Sequence, residues 1–317
     1  MEKIIFGPVP SRRLGRSLGV NNIPHKVCSY SCVYCQVGKA IKMQYEPQAF
    51  YSVDVIVGKV KQMLKCLKSL DLPDYITIVP DGEPTLDISL CELIKKLKTL
   101  GFPVAVITNS SLIDREEVQT ALKHADYVSI KVDTVNPALW KKINNPHKYL
   151  SFKSILKGIA DFSQSFRGKL VTETMLIKNL NDAEADLENL ATYLARISPE
   201  TNYIAIPTRP PAYEGIHPAD ETSVALAFNI FTRYGLSTEL LTGYEGNAFA
   251  STGNFKDDIL SITAVHPMRM DAVMELMVHS GATENNLKML IDSGLINQIH
   301  FNNQDFFIRN FTHKNKV

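Results

Sequence analysis

Three cysteines, Cys28, Cys32 and Cys35, lie within the short segment VCSYSCVYCQVG. The chain has five cysteines in all, and the other two, Cys66 and Cys91, lie far from this segment. Cysteines grouped at short spacings are typical of metal ligation, because thiolates bind zinc and iron–sulfur clusters strongly. The grouping therefore indicates an inorganic site rather than three unrelated thiols.

Two kinds of inorganic site use such ligands. Structural zinc takes four, and His25 could be the fourth, but the chain contains no second pair of closely spaced cysteines or histidines. Cubane iron–sulfur clusters also usually take four thiolates, so three would leave one iron without a protein ligand. An open iron can bind and reduce a small molecule. The cysteine count favours the cluster and leaves zinc as the alternative.

The spacing Cys28-x3-Cys32-x2-Cys35, with the aromatic Tyr34 before the last cysteine, resembles the signature of the radical S-adenosylmethionine (SAM) superfamily. The resemblance implies a [4Fe-4S] cluster whose open iron binds the amino and carboxylate groups of SAM. It implies reductive cleavage of SAM to methionine and a 5′-deoxyadenosyl radical, which abstracts hydrogen from a substrate. An external electron donor such as flavodoxin or ferredoxin is expected as a partner.

The apolar periodicity of the chain alternates between strands and helices. Strands are predicted at 17–22, 75–80, 103–109, 126–133, 169–177 and 203–208, and helices at 53–70, 87–101, 115–125, 137–166 and 183–197. This alternation predicts parallel strands in an α/β barrel or a doubly wound sheet. A partial TIM-like barrel of six βα units is the fold that the resemblance implies. No Gly-x-Gly-x-x-Gly follows the first strand, which argues against a dinucleotide-binding domain.

The carboxyl ends of the predicted strands carry candidate cofactor residues, since such ends usually carry function in these folds. Gly82, Glu83 and Pro84 follow the second strand, where the resemblance implies that backbone carbonyls bind the methionine amino group. Asp81 departs from the usual small residue there. A valine at Gly82 is expected to weaken SAM binding and to spare the cluster. The other candidates in the SAM pocket are Tyr34, Asn109, Lys131, Asp133, Glu173 and Ile206.

Four arginines are candidate ligands for an anionic substrate, because guanidinium groups bind carboxylates and phosphates in a bidentate manner. Three lie in the N-terminal stretch GPVPSRRLGR and one follows the sixth strand: Arg12, Arg13, Arg16 and Arg209. An ordinary solvated position is the alternative for each of them. The substrate itself is not identified, with RNA and protein both open.

The same N-terminal stretch, together with Gly-Glu-Pro-Thr-Leu, Ile-Thr-Asn-Ser and Asn145-Pro146-His147, narrows the resemblance. It points to a radical SAM family of archaea and bacteria that is grouped with the enzyme building the tricyclic wyosine base of transfer RNA. That enzyme carries a second cluster on three cysteines upstream of the motif. This chain has no cysteine before Cys28, so neither a second cluster nor the wyosine reaction is expected.

The last sixty or so residues have a different pattern. Helices are predicted at 266–281 and 282–294, followed by two strands that turn at Asn302-Asn303. Helix, helix and hairpin is the order of a winged-helix module, and such modules bind nucleic acid or protein. We therefore expect a radical SAM barrel domain over 1–255 and a small winged-helix-like domain over 256–317.

Composition limits the class of protein. The formal net charge is +1, so no global basic field indicates nucleic acid as a partner. No secretory signal, and no apolar run of about 18 residues that could span a membrane, is recognised. The odd number of cysteines argues against a complete disulfide framework and favours a reducing, cytoplasmic location.

Two function hypotheses follow. The first is a radical SAM enzyme of unidentified substrate. The second is a non-catalytic regulator, in which the winged helix binds nucleic acid and the cluster senses redox state. The set of polar residues at the strand ends favours the enzyme, because a sensor needs no SAM pocket.

Overall fold

The structure is a computed structural model that describes residues 4–243, 251, 253–265, 267–301 and 303–310. Within these ranges the helices are α1 (Val53–Cys66), α2 (Leu90–Lys98), α3 (Glu116–Leu122), α4 (Pro137–Asn144), α5 (Phe152–Ser165), α6 (Glu184–Ile197), α7 (Glu221–Arg233), α8 (Phe255–Val265), α9 (Met270–Ser280) and α10 (Glu284–Asp292). None of these helices combines the length and the apolar character that a membrane crossing requires.

The strands of the described residues are β1 (Ile5–Ser11), β2 (Gly15–Val20), β3 (Val27–Cys28), β4 (Lys42–Met43), β5 (Tyr75–Ile78), β6 (Val104–Thr108), β7 (Tyr127–Lys131), β8 (Lys169–Met175), β9 (Thr201–Ala205), β10 (Thr238–Leu241), β11 (Met268–Arg269), β12 (Ile296–Phe301) and β13 (Gln304–Arg309).

One curled sheet forms the frame, with the strand order β1-β2-β5-β6-β7-β8-β9-β10. The strands from β2 to β10 run parallel, and β1 pairs antiparallel with β2. Apolar residues of helices α1 to α7 pack on its outer face, against strand residues such as Ile76, Val106 and Ile130. Strands buried on both faces explain the nearly continuous apolar runs in the sequence. The predicted α/β class, with a partial barrel, is confirmed.

The structure differs from the sequence prediction at the sheet edges and in one helix. β1 and β10 extend the sheet beyond the six predicted strands; β1 contains Pro8 and Pro10, which only an edge strand tolerates. The helical region predicted at 137–166 is two helices, because Asn145, with φ 40° and ψ 66°, ends α4. Helix α7 also lies outside the predicted elements.

The turn between β1 and β2 occupies the interior of the barrel. Alternate residues of β6 to β9 point inward, and Ala105, Tyr127, Val171 and Tyr203 form a buried cluster with Leu14 of this turn. The hairpin therefore folds back under the sheet edge instead of continuing along it. As a result, its neighbouring arginine side chains are brought toward the interior.

The C-terminal part has the chain order α8, β11, α9, α10, β12, β13, and its three-stranded sheet has the order β11-β13-β12. The helix predicted at 266–281 is α9, which begins at Met270 and ends at Ser280, and Gly281, with φ 67°, caps it. His266, and Asn302 of the predicted turn, lie outside the described residues. Helix α8 packs on β1, where Ile259 and Ile262 share a buried cluster with Phe6 and Val9.

Candidate functional site

A cavity of about 350 Å³ lies at the carboxyl ends of the parallel strands. In parallel α/β folds this is the edge at which ligands bind. The structure brings together there most of the residues that the sequence predicted for the site: Cys28, Cys32, Tyr34, Cys35, Gly82, Asn109, Lys131, Glu173, Ile206, Arg12, Arg13 and Arg209.

The segment from Val27 to Met43 forms the loop that carries the three cysteines. The Cys35 N–H donates to the Cys32 carbonyl at 3.1 Å, and the Gly38 N–H donates to the Cys35 carbonyl at 3.1 Å. Strands β3 and β4 pair in parallel at the base of the loop. All three cysteines are partly buried at the cavity wall. The local turns thus hold all three cysteines at the wall of the same cavity.

Each of these sulfurs faces a different side-chain N–H donor. The three pairs are Asn109 Nδ2 and Cys28 Sγ at 3.5 Å, Asn144 Nδ2 and Cys32 Sγ at 3.5 Å, and Lys26 Nζ and Cys35 Sγ at 3.4 Å. A donor at every sulfur suits ligands that carry negative charge.

The Cys28 and Cys32 thiols are not free nucleophiles. Burial raises the pKa of the Cys28 thiol well above its ordinary value, and the nearby Glu83 carboxylate raises it further. Burial also raises the pKa of Cys32 to about 12, with the Asp133 carboxylate as the next cause. A thiol with such a pKa keeps its proton at neutral pH unless a cation replaces that proton. The loop is therefore suited to a positively charged metal centre.

His25 is not placed to complete a zinc site with the three cysteines. His25 Nδ1 lies 2.5 Å from Asp81 Oδ2 and is engaged there, not at the cysteines. Among the residues that the structure describes, no three His, Cys, Asp or Glu side chains converge on one metal ion. Zinc requires its ligand atoms within roughly 2–2.3 Å of one point. In a cubane each cysteine binds a different iron, so its three ligands need not converge on one point.

Gly82 lies directly against the backbone of the cysteine loop. A Cβ atom at Gly82 would stand 1.9 Å from the Val27 carbonyl oxygen, which belongs to the residue before Cys28. The Glu83 N–H donates to that same oxygen at 3.2 Å. Any side chain at Gly82 must therefore displace the loop. This contact argues against the expectation that valine there would spare the cluster, which stays a prediction.

The Glu83 carboxylate is fully buried and supports the site from behind the cavity wall. It accepts hydrogen bonds from the Thr85 and Thr108 hydroxyls at 2.6 Å each and from the Asn109 N–H at 2.7 Å. Burial raises the pKa of Glu83, and these donors offset part of that shift. The carboxylate ties the loop after β5 to the end of β6. Pro84, also buried, begins a short 3-10 helix.

Asp133 is a second buried support. Its Oδ2 accepts from the Tyr34 hydroxyl at 2.5 Å and from Asn144 Nδ2 at 2.8 Å, and its Oδ1 accepts from the Met175 N–H at 2.9 Å. Its side chain is 0% exposed. The carboxylate therefore orients Tyr34 in the cysteine loop and also Asn144, the donor to the Cys32 sulfur.

Three charged side chains lie together inside the barrel. The Glu173 carboxylate pairs with Arg13 and with Lys131, whose Nζ is 2.7 Å away. Arg13 also donates to Ser129 Oγ at 3.2 Å. Burial alone would raise the pKa of Glu173, but the two cations lower it to about 2. Glu173 is thus a paired charge within the barrel, not an exposed strand residue.

The four candidate arginines occupy different places. Arg12, Arg13 and Arg209 line the cavity, and Arg209 is 9% exposed. Arg16 instead lies 3.7 Å from the Asp74 carboxylate and is not among the described residues that line the cavity. The hairpin turn causes this separation, since it directs its neighbouring side chains to opposite sides.

Lys26 and Asn144 are site residues that the sequence analysis does not identify. Lys26 has a φ of 61°, which is uncommon for a residue other than glycine. Asn144 ends α4 and is drawn to the loop because the Ser31 N–H donates to its carbonyl at 3.1 Å. Two signals point to them: the closeness of Lys26 to the first cysteine, and the Asn-Pro-His motif directly after Asn144.

Known proteins are similar to this chain in sequence, including the cysteine motif. The family model of the radical SAM superfamily matches residues 22–191. A UPF0026 protein of Methanocaldococcus jannaschii is 39% identical over 99% of this chain and 98% of its own length. A UPF0026 protein of Helicobacter pylori is 35% identical over 67% of this chain and 68% of its own.

Solved structures share the fold. The structure of TYW1 with a lysine–pyruvate adduct bound has a TM-score of 0.54 and 17% identity, and the match covers 70% of this chain and 75% of that chain. At this identity the likeness shows the partial barrel alone.

The regulator hypothesis finds no support in these comparisons. The matched residues 22–191 include the cysteine loop and the ends of β5 to β8, so they contain most of the cavity wall. The M. jannaschii relative extends the match over nearly all of the described residues. The chain therefore belongs to the radical SAM superfamily of enzymes and, within it, to the UPF0026 family.

Proposed function

We propose that this radical SAM enzyme holds one [4Fe-4S] cluster on Cys28, Cys32 and Cys35. The observation that carries the proposal is the set of three partly buried sulfurs at the cavity wall, each facing an N–H donor. Three protein ligands leave one iron for SAM. When bound and reduced, the cluster supplies the electron that cleaves SAM to methionine and a 5′-deoxyadenosyl radical, which takes hydrogen from the substrate.

We infer that the SAM pocket is the part of the cavity next to the cysteine loop. The backbone at Gly82 would receive the ammonium group of SAM, because it lies against that loop. The remaining proposed contacts come from residues of the cavity wall: Tyr34, Asn109, Lys131, Glu173 and Ile206. Glu83, Pro84 and Asp133 are buried behind the cavity wall. We propose that they hold the wall residues in place.

Cleavage of SAM consumes one electron, so we propose an external one-electron donor of the flavodoxin or ferredoxin class. The substrate is proposed to carry an anionic group, because Arg12 and Arg209 both line the cavity. Arg13 forms an ion pair with Glu173, so we propose a structural role for it in the site. RNA and protein are the two classes of macromolecular substrate that we retain.

The TYW1 structure contains a lysine–pyruvate adduct, but the lysines of this cavity do not favour formation of such an adduct here. Within the described residues, Lys26 and Lys131 line the cavity. Lys26 Nζ contacts the Cys35 sulfur, and Lys131 Nζ pairs with Glu173 at 2.7 Å. Burial lowers the pKa of Lys131, but the Glu173 and Asp133 carboxylates more than offset this and raise it. Both lysine nitrogens are therefore already engaged by other groups of the site, so the wyosine reaction is not proposed for this protein.

The first prediction tests SAM binding and cleavage. The anaerobically reconstituted, reduced protein is expected to show an altered electron paramagnetic resonance spectrum when SAM is added, because SAM binds the open iron. Incubation with dithionite and SAM is expected to yield 5′-deoxyadenosine, measured by chromatography and mass spectrometry. A protein with a full cluster whose spectrum is the same with and without SAM would refute the proposal.

We propose that the C-terminal part is a winged-helix-like unit that docks a macromolecular substrate, nucleic acid or protein. The support is its order of elements and the strand order β11-β13-β12. The proposed boundary, 1–255 and 256–317, places α8 in the second unit. That helix also covers Phe6 and Val9 of β1, which are 4% and 8% exposed.

Two truncated chains test this division. A chain ending at residue 266 keeps α8 on β1, so it is expected to hold the cluster and to form 5′-deoxyadenosine. A chain ending at residue 254 uncovers Phe6 and Val9 and is expected to unfold at a lower temperature, because a buried apolar face becomes exposed. Iron content and thermal unfolding measure both. A soluble chain ending at 266 that holds no iron would contradict two separable units.

A further inference from the structure

We propose that Lys26, Asn109 and Asn144 form a set of positioning residues that raises the reduction potential of the cluster. The inference rests on the proposed function, in which the three cysteines hold that cluster. The consequence is that a one-electron donor of the flavodoxin or ferredoxin class reduces the cluster more readily than it would without the set.

Each of the three cysteine sulfurs in the loop faces one N–H donor of this set. The three members come from separate segments: Lys26 precedes β3, Asn109 follows β6, and Asn144 ends α4. Their nitrogen atoms lie 3.4 to 3.5 Å from the sulfurs. Three elements that are distant in sequence thus each supply one N–H donor to a different ligand.

The hydrogen bonds of the two asparagines fix which amide atom faces each sulfur. Asn109 Oδ1 accepts from the Ser111 N–H at 2.9 Å, so its Nδ2 must be the atom toward the loop, where it also donates to Ser29 Oγ at 3.1 Å. Asn144 Nδ2 donates to the Asp133 carboxylate at 2.8 Å, and an ionised carboxylate can only accept. Both sulfurs therefore meet an N–H group and not a carbonyl oxygen.

The donors are also held in place. The Asn109 backbone is tied to the buried Glu83 carboxylate at 2.7 Å. The Lys26 ammonium donates to the Gly38 carbonyl at the far end of the loop as well as to Cys35. Preorganised donors need little rearrangement when the charge of the cluster changes, so little of their stabilisation of the reduced state is lost to reorganisation.

The sign of the effect follows from charge. Reduction adds one negative charge to the cluster and its thiolates, and hydrogen bonds to the sulfurs stabilise the more negative state. The buried carboxylates Glu83 and Asp133 act in the opposite direction, and each of them holds one of the asparagine donors. Lys26 contributes a positive charge at a buried position, where screening by water is weak. We therefore expect Lys26 to have the largest effect.

The test measures the midpoint potential of the full-length, anaerobically reconstituted protein by redox titration followed by electron paramagnetic resonance. Lys26→Met, Asn109→Leu and Asn144→Leu are each compared with the parent at matched iron and sulfide content. All three are expected to shift the midpoint to more negative potential, with Lys26→Met shifted most. Lys26→Gln, which retains a neutral N–H group, is expected to lie between Lys26→Met and the parent.

Lys39→Met is the matched control. Lys39 is an exposed lysine of the same loop, and its Nζ lies 4.2 Å from the centroid of the Tyr213 ring, away from the sulfurs. Its loss removes one positive charge without removing a donor to sulfur, so the potential is expected to stay at the parent's value.

Variants that hold a full cluster at the parent's potential would overturn the inference, while SAM cleavage by the parent would leave the proposed function standing. A Lys39→Met shift as large as that of Lys26→Met would also overturn it, since net charge alone would then explain the effect. A parent protein that assembles no cluster would overturn both the inference and the proposed function.

Discussion

Replacement of Cys32 by alanine is expected to abolish the cluster. Iron in the anaerobically reconstituted protein should fall from about four atoms per chain to near zero, because a cubane needs its cysteine ligands and one iron already lacks one. The two remaining thiolates cannot hold a cluster with two open irons. Cys28→Ala and Cys35→Ala should behave in the same way. Iron and sulfide assays after desalting measure the loss.

The two other cysteines provide the control. Cys66 is exposed at the end of α1, and Cys91 lies in α2; neither lines the described cavity. Their alanine variants should bind as much iron as the parent. If Cys32→Ala still bound about four irons, the assignment of the cluster to this loop would be wrong.

The central part of the fold was predictable because its signals are local. Strands β5 to β7 are buried on both faces and mainly apolar, and they alternate with helices of clear periodicity. Strands β8 and β9 are also buried but include polar residues such as Thr172, Glu173 and Asn202. The sheet edges lack that signal. β1 contains Gly7, Pro8 and Pro10, and the residues Thr238–Leu241 of β10 are largely exposed. Their strand character depends on a neighbouring strand and is not encoded in their own composition.

The site was predictable to the extent that topology alone brings residues together. The cysteines share one loop, and Asn109, Lys131 and Glu173 meet because the parallel strands end at one edge. Sequence could not show which of these residues face the cavity. Glu83 and Asp133 are buried supports, since each accepts several hydrogen bonds from neighbouring loops.

Contacts that require loop closure were not predictable. Asn144 approaches the Cys32 sulfur only because the cysteine loop pairs with the end of α4 through Ser31. Likewise, the separation of Arg13 from Arg16 depends on how the hairpin enters the barrel. Such contacts join segments that are far apart in sequence, and no local pattern records them.

Replacement of Gly82 by alanine is expected to remove most of the bound iron, although Gly82 is not a ligand. The added Cβ would stand 1.9 Å from the Val27 carbonyl oxygen, and a backbone atom cannot rotate away as a flexible side chain can. Overpacking of this kind costs typically about 1–3 kcal/mol, and more where the backbone must move. Because Val27 directly precedes Cys28, the loop must shift and the three sulfurs lose their arrangement.

Gly58→Ala is the matched control, since it makes the same chemical change at a glycine with open space around it. Gly58 is in α1, and beyond the backbone of that helix and the two neighbouring residues no described heavy atom lies within 4 Å of a Cβ placed there. Alanine there should stabilise the helix by roughly 0.5–1 kcal/mol and leave the iron content unchanged. If Gly82→Ala keeps the parent's iron but loses the spectral change on addition of SAM, the glycine serves SAM binding alone. Loss of iron in Gly82→Ala but not in Gly58→Ala would instead show that Gly82 is needed first to seat the cysteine loop.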